Sequence, residues 1–159
     1  MEKTNVMRIL EQKKITYIPH IYEPTFLDGV SVAQRIGKQT ECVFKTLVTV
    51  ANTGENFVFV IPVDQNLELK KAAKAVSVKS VAMIKQKELL PLTGYIHGGC
   101  SPVGMKKPLR TVIDETAILY ETIVVSAGKV GYQIELDPNR LAELTGASFE
   151  DLTEEAFDA

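Results

Sequence analysis

Apolar and polar positions change period several times along this chain, and each change marks an element. Near the start, Val6, Ile9 and Leu10 recur at helical spacing behind Thr4, whose hydroxyl can accept from a free helix N–H. Lys13 and Lys14 then put positive charge at the negative end of the helix dipole, so a first short helix is expected. Residues 16–22 are β-branched and aromatic, but Pro19 cannot donate to a central ladder, which makes this an edge strand. Residues 23–29 read as loop, and Ser31 opens a second helix that Gly37 stops. Residues 43–51 and 57–63 are β-rich runs joined by a turn containing Asn52 and Gly54, a hairpin pattern. Residues 66–76 form a basic helix with Leu69, Ala72, Ala73 and Val76 on one face and Lys70, Lys71 and Lys74 on the other. Residues 80–83 are a short strand, followed by a helix through Lys87, Leu89 and Leu90 that Pro91 is expected to limit.

Regular periodicity fails at residues 95–108, YIHGGCSPVGMKKP. Gly98, Gly99, Gly104, Pro102 and Pro108 forbid a regular helix or central strand, so the backbone there is a shaped loop. Such a loop can serve as a plain connection, or it can offer N–H groups to a carbonyl or anionic ligand. Beyond it, residues 111–113, 123–126 and 132–136 read as strands, with Gly128 and Gly131 bracketing a turn. Asp137 and Pro138 then open a helix that Gly146 stops, and the last residues are acidic and frayed. Strands and short helices mix without strict β-α alternation. The expected fold is therefore α+β, a mixed, antiparallel-rich, barrel-like sheet with peripheral helices, in a single domain over residues 1–159.

Composition narrows the function classes. No apolar run is long enough to span a bilayer, and MEKTNVMRIL lacks a secretory pattern, so a soluble cytoplasmic protein without a membrane partner is expected. Cys42 and Cys100 stand far apart and read as reduced. A net charge of −2 argues against coating nucleic acid by bulk electrostatics. The charge is nevertheless segregated: residues 70–110 hold nine basic side chains against Glu88 alone, a local +8. Either a polyanionic partner met on one side or a plainly solvated face would account for that.

The residues alone give a pocket without a mechanism. Lys45 sits inside an apolar strand, where it either snorkels to solvent or marks a pocket. His97 and Cys100 could form a thiol and base, but no third orienting group stands out. Ser101 and Ser126 lack a nucleophile-elbow pattern, and His20 reads as well as a packed strand residue. Two histidines and two scattered cysteines make no metal ligand set, and no cofactor is expected.

Three stretches together resemble a known family. VFKTLV around Lys45, GGCSPVGMKK in the central loop, and VSAGKVGYQIEL followed by LAEL stand in the order and spacing of the YbaK/EbsC family, from the first helix to about Phe149. These are freestanding bacterial deacylases of misacylated tRNA, related to the editing domain of bacterial prolyl-tRNA synthetase. The resemblance implies removal of cysteine mischarged on tRNA(Pro), and also on tRNA(Cys), with prolyl-tRNA synthetase as a further partner. It implies catalytic roles for Lys45, Gly98, Gly99 and Ser126, and a substrate pocket formed by Tyr22, Phe26, Cys100, Ser101, Pro102 and Gln133. Gln133 departs from the aspartate found there in some members. The mechanism implied is attack of the substrate's own thiol on its ester. Alternatives are hydrolysis of another small aminoacyl ester such as Ala-tRNA(Pro) by an activated water, or a module that binds a nucleotide or RNA end without turnover.

Overall fold

The structure, a computed structural model, describes residues 2–23 and 28–154. Among them lie the helices α1 (Asn5–Gln12), α2 (Gly29–Ile36), α3 (Leu69–Ala75), α4 (Gln86–Thr93) and α5 (Pro138–Thr145). The strands are β1 (Ile18–Ile21), β2 (Phe44–Ala51), β3 (Asn56–Pro62), β4 (Val81–Met83), β5 (Arg110–Asp114), β6 (Ile123–Lys129), β7 (Tyr132–Leu136) and β8 (Ser148–Glu150). They form a three-stranded sheet in the order β1-β7-β6 and a five-stranded sheet in the order β4-β2-β3-β5-β8. All pairs are antiparallel except β3 with β5 and β5 with β8. The fold is thus α+β and antiparallel-rich, as expected. The barrel-like sheet does not close: its two parts meet at one parallel bridge, Val43 to Val124.

Strand β3 explains the continuous apolar run in its sequence, because both its faces are buried. Val58 and Val60 turn towards a cluster with Phe44, Val48, Met7, Leu10, Val125, Ile134 and Leu141, which packs the two sheets, α1 and α5 together. Phe57, Phe59 and Ile61 turn the other way, onto Ala72, Ala73 and Val76 of α3, with Val112 and Leu152. A third, smaller cluster of Ala33, Val43, Val63 and Val124 seats α2 against the junction of the sheets.

Local signals hold with some shifts. Thr4 accepts from the Met7 N–H, and Gly37 and Gly146 end their helices in left-handed conformation. β1 is an edge strand, which tolerates Pro19. The second helix is capped by Asp28 rather than Ser31: the Asp28 carboxylate accepts from the Ser31 N–H at 2.7 Å. Pro91 does not limit α4, which runs on to Thr93 and ends at Gly94. The ring removes one bond to the Lys87 carbonyl on the exposed side, while the Thr93 hydroxyl adds one to the Leu89 carbonyl at 2.7 Å. Strand β8, with no alternation to mark it, pairs with β5. The final acidic residues and part of the loop at 23–29 lie outside the described residues.

Asp114 locks that last strand. Buried at the end of β5, it accepts from the Leu152 N–H at 3.0 Å through one oxygen and from the Thr116 N–H and hydroxyl through the other. Asp114→Ala leaves these donors without an acceptor and is expected to cost about 2 kcal/mol or more, read as a lower urea midpoint at unchanged slope. A midpoint equal to the parent's would show that the turn holds without it.

Candidate functional site

The outer face of the three-stranded sheet is where polar side chains gather. Along β6 and β7, Ile123, Val125, Ile134 and Leu136 enter the main core, so period two sends Val124, Ser126, Gln133 and Glu135 to the opposite face. Ser126 and Gln133 are direct partners across the ladder, and His20 of β1 is the partner of Gln133 on its other side. Tyr22 continues β1 by donating its N–H to the Gly131 carbonyl, and its hydroxyl accepts from Gln133 Nε2 at 3.3 Å. Tyr22, Ser126 and Gln133 therefore form one group. Phe26 lies outside the described residues.

Lys45 reaches this group through the junction of the sheets. Val43 bridges Val124 in parallel, so two residues further along each strand stand Lys45 and Ser126. Lys45 is half-buried and unpaired: among the described residues it has no hydrogen bond and no ion pair. Burial pushes its ammonium pKa down, and Asp64 opposes this only in part. A cation that has lost water without gaining a carboxylate is disposed to take an anionic ligand.

The central loop joins α4 to β5 and leans on the tip of the β6–β7 hairpin. A Cβ added to Gly99 would lie 3.2 Å from the Val130 nitrogen and 3.4 Å from the Lys129 carbonyl carbon, so the missing side chain serves contact with the chain's own backbone. Gly98, at φ 88°, supplies the left-handed turn that brings Gly99 there. Ser101 and Pro102 are buried, and the Ser101 hydroxyl accepts from the Val103 N–H at 3.2 Å. Burial drives the Cys100 thiol up to about 12, so at neutral pH it is protonated filler within the main core. Of the expected residues, Tyr22, Lys45, Ser126 and Gln133 come together, and Gly99 abuts the same hairpin. Ser101, Pro102 and Cys100 support the loop from within.

An ion-pair group beside the site went unread in the sequence. Glu135 accepts from the Thr122 hydroxyl, lies 2.8 Å from His20 Nε2 and 3.0 Å from Lys38 Nζ. Burial alone would raise its pKa, but hydrogen bonds from Thr122, His20 and Lys38, with the Lys38 charge, hold it down to about 2. It ties β1 and the segment after α2 to β7, fixing the strand that carries Gln133. The available signal was the pair Gln133 and Glu135, two polar residues two apart in an otherwise apolar strand.

The sequence profile of the aminoacyl-tRNA editing domain family matches residues 26–144. The chain is 47% identical over 154 residues to an Enterococcus faecalis protein named "Putative Cys-tRNA(Pro)/Cys-tRNA(Cys) deacylase EbsC", covering 96% of this chain and 94% of that one. Its fold is similar to a crystal structure titled "a putative trans-editing enzyme for prolyl tRNA synthetase", with TM-score 0.82 and 26% identity over 98% of this chain and 100% of that one. The fold alone is shared with the hypothetical protein APE2540, at TM-score 0.87 and 24% identity over 95% of this chain and 100% of that one.

The depressed Glu135 value has a signed consequence. With a folded value near 2 against the ordinary 4.5, the carboxylate adds stability above pH 4.5, and that stability is lost as pH falls from 4.5 towards 2. Glu135→Gln keeps the shape without the charge and is expected to cost about 1–3 kcal/mol at pH 7. In urea titrations the gap between parent and variant should close across that acid window, and a gap independent of pH would refute the ion-pair role.

Proposed function

Because the chain belongs to the aminoacyl-tRNA editing domain family, we propose that it is a freestanding deacylase that removes cysteine mischarged on tRNA(Pro). The observation that carries this reading is Lys45, a half-buried cation with no hydrogen bond or ion pair among the described residues, set two residues beyond the strand junction on β2 as Ser126 is on β6. The proposal extends to tRNA(Cys) as acceptor, by similarity to the Enterococcus relative. It takes prolyl-tRNA synthetase as the protein that produces the error.

The chemistry that suits these residues needs no enzyme nucleophile. Cys100 is protonated and partly buried, and the Ser126 hydroxyl accepts from the Gly128 N–H at 3.2 Å with no base among its hydrogen-bond partners. In the proposed reaction the substrate cysteine, as thiolate, attacks its own ester carbonyl. The carbon–sulfur bond forms, the ester carbon–oxygen bond breaks, and the ribose oxygen takes up from water the proton that the thiol gave up to water, releasing a cyclic thiolactone and the free ribose hydroxyl. Lys45 would hold the terminal phosphate and ribose, while the Gly98–Gly99 backbone and Ser126 bound the space in which the acyl group folds back. Orientation of this kind is worth about 7 kcal/mol or more of barrier. Tyr22 and Gln133 would shape the amino-acid end, with a neutral carboxamide where some relatives carry a charge.

Lys45→Ala is expected to keep the fold and lower kcat/KM on cysteinyl-tRNA(Pro) by about 100-fold or more, measured as release of labelled cysteine. Parent-like turnover by the folded variant would sink the assignment.

Cys100→Ala is expected to retain most activity, because no covalent enzyme intermediate forms. On the same parent enzyme, exchanging cysteinyl- for seryl-tRNA(Pro) should lower the rate by orders of magnitude, since a hydroxyl is almost wholly protonated at neutral pH. A dead Cys100→Ala, or equal rates on the two substrates, would require a different nucleophile.

A further inference from the structure

A broad concavity lies away from the site above. It is an open groove of about 840 Å³ between the β2–β3 turn, the segment following α3, and the approach to β5. Lys79, Lys107 and Arg110 line it, against Glu55 as the one carboxylate among its lining residues. All three cations are exposed, and none makes an ion pair among the described residues. In the whole basic segment, Lys71 alone is tied to a carboxylate there, Asp151 at 2.9 Å. Much of the segregated charge in the sequence thus stands free, and three of its members converge on one groove.

The walls of the groove are fixed. Asn52 and Ser80 exchange two hydrogen bonds, Asn52 N–H to the Ser80 carbonyl at 3.0 Å and Ser80 N–H to Asn52 Oδ1 at 3.1 Å, which join the hairpin turn to the segment after α3. An Arg110 guanidinium nitrogen donates to the Ala75 carbonyl at 3.4 Å, leaving its remaining donors for another partner. The Lys106 N–H donates to the Thr93 carbonyl at 2.8 Å, anchoring the neighbour of Lys107 to the end of α4. Between the cations the floor is apolar, from Phe57, Val76, Val78 and Leu109. Cations at the rim and apolar carbon beneath match a sugar–phosphate strand, whose phosphates seek the first and whose ribose faces tolerate the second.

We propose that this groove binds the phosphate backbone of the RNA substrate at a point remote from the scissile ester. The proposal rests on the deacylase reading for the identity of that RNA. Arg110 pairs with Phe57 and Phe57 with Thr49, four residues along β2 from Lys45 and two strands across, so even the near side of the groove lies roughly 16 Å from Lys45 at the spacings of a sheet. That separation is too great for the terminal nucleotide held at Lys45, and it suits the body of a structured RNA that leaves its 3′ end in the site. An acidic protein is the rival occupant. It would not make RNA affinity depend on these three side chains.

The test compares the parent with two triple variants. One is Lys79→Ala with Lys107→Ala and Arg110→Ala, and the other, Lys79→Arg with Lys107→Arg and Arg110→Lys, keeps the charge. Binding of uncharged tRNA is followed against salt concentration, and deacylation is measured on full-length cysteinyl-tRNA and on a short cysteinylated 3′-terminal oligonucleotide. The alanine variant is expected to bind uncharged tRNA about 10-fold or more weakly, with a log–log salt slope shallower by about 2. KM for full-length substrate should rise by a similar factor at unchanged kcat, the short oligonucleotide should react as with the parent, and the charge-keeping variant should behave as the parent. Parent-like affinity and slope in the alanine variant would overturn the proposal, as would an equal loss on the short oligonucleotide. Because the binding curve needs no turnover, a parent protein that binds tRNA but deacylates nothing would refute the proposed reaction while the groove is still judged by its salt slope.

Discussion

The parallel bridge between Val43 and Val124 is the contact on which the rest of the site depends. Strand β2 is held along one edge by β3, while its other edge is shared between β4 at Thr49–Ala51 and β6 at Val43. The residue just before it thus joins the five-stranded sheet to the three-stranded one. Ala33 and Val63 pack over the bridge and keep it dry. Since side chains alternate along a strand, a slip of one residue would turn Lys45 away and bring Thr46 to the face that carries Ser126. The seven-pair register of β2 with β3 guards against that slip with apolar burial on both sides.

A second constraint is how few functional groups this structure leaves uncommitted. The Ser101 hydroxyl caps its own turn, the Ser126 hydroxyl caps the bulge at Gly128, and the Glu135 carboxylate is divided among three partners. Cys100 sits in apolar packing. A chain built this way offers position and a single cation in place of reactive groups, which fits a reaction whose nucleophile arrives with the substrate.

Much of this was legible in the chain. Thr4, Gly37 and Gly146 marked helix ends because capping is local, and the hairpin of β2 and β3 followed from two β-rich runs around Asn52 and Gly54. Lys45 drew notice as a charge inside an apolar run, and the structure leaves it half-buried, two residues beyond the junction of the sheets. What escaped was non-local. Nothing near Ser148 announces a strand whose partner β5 lies 36 residues earlier. The His20–Glu135 contact spans 115 residues, and although Glu135 is polar in an otherwise apolar strand, nothing in its own neighbourhood points to His20. The glycines of the central loop read either as a plain connection or as an opening towards a ligand, and at Gly99 the missing side chain also allows close approach to Lys129 and Val130, neighbours that only the folded chain reveals.

The late closing of the five-stranded sheet bears on how the molecule is made. The apolar face of α3 and β3 is finished by Leu152, whose N–H goes to Asp114 and whose carbonyl accepts from Glu68, 84 residues earlier. Lys71 clasps the same segment through Asp151 and the Thr153 carbonyl. During synthesis, then, Phe57, Phe59 and the alanines of α3 must wait with one side uncovered until residue 152 has emerged. Pairings this distant in sequence are a general cause of slow folding, and the apolar face of β3 and α3 lacks part of its cover until then. In the finished fold the Lys71–Asp151 ion pair joins α3 to this closing segment, a charge contact laid over the apolar one.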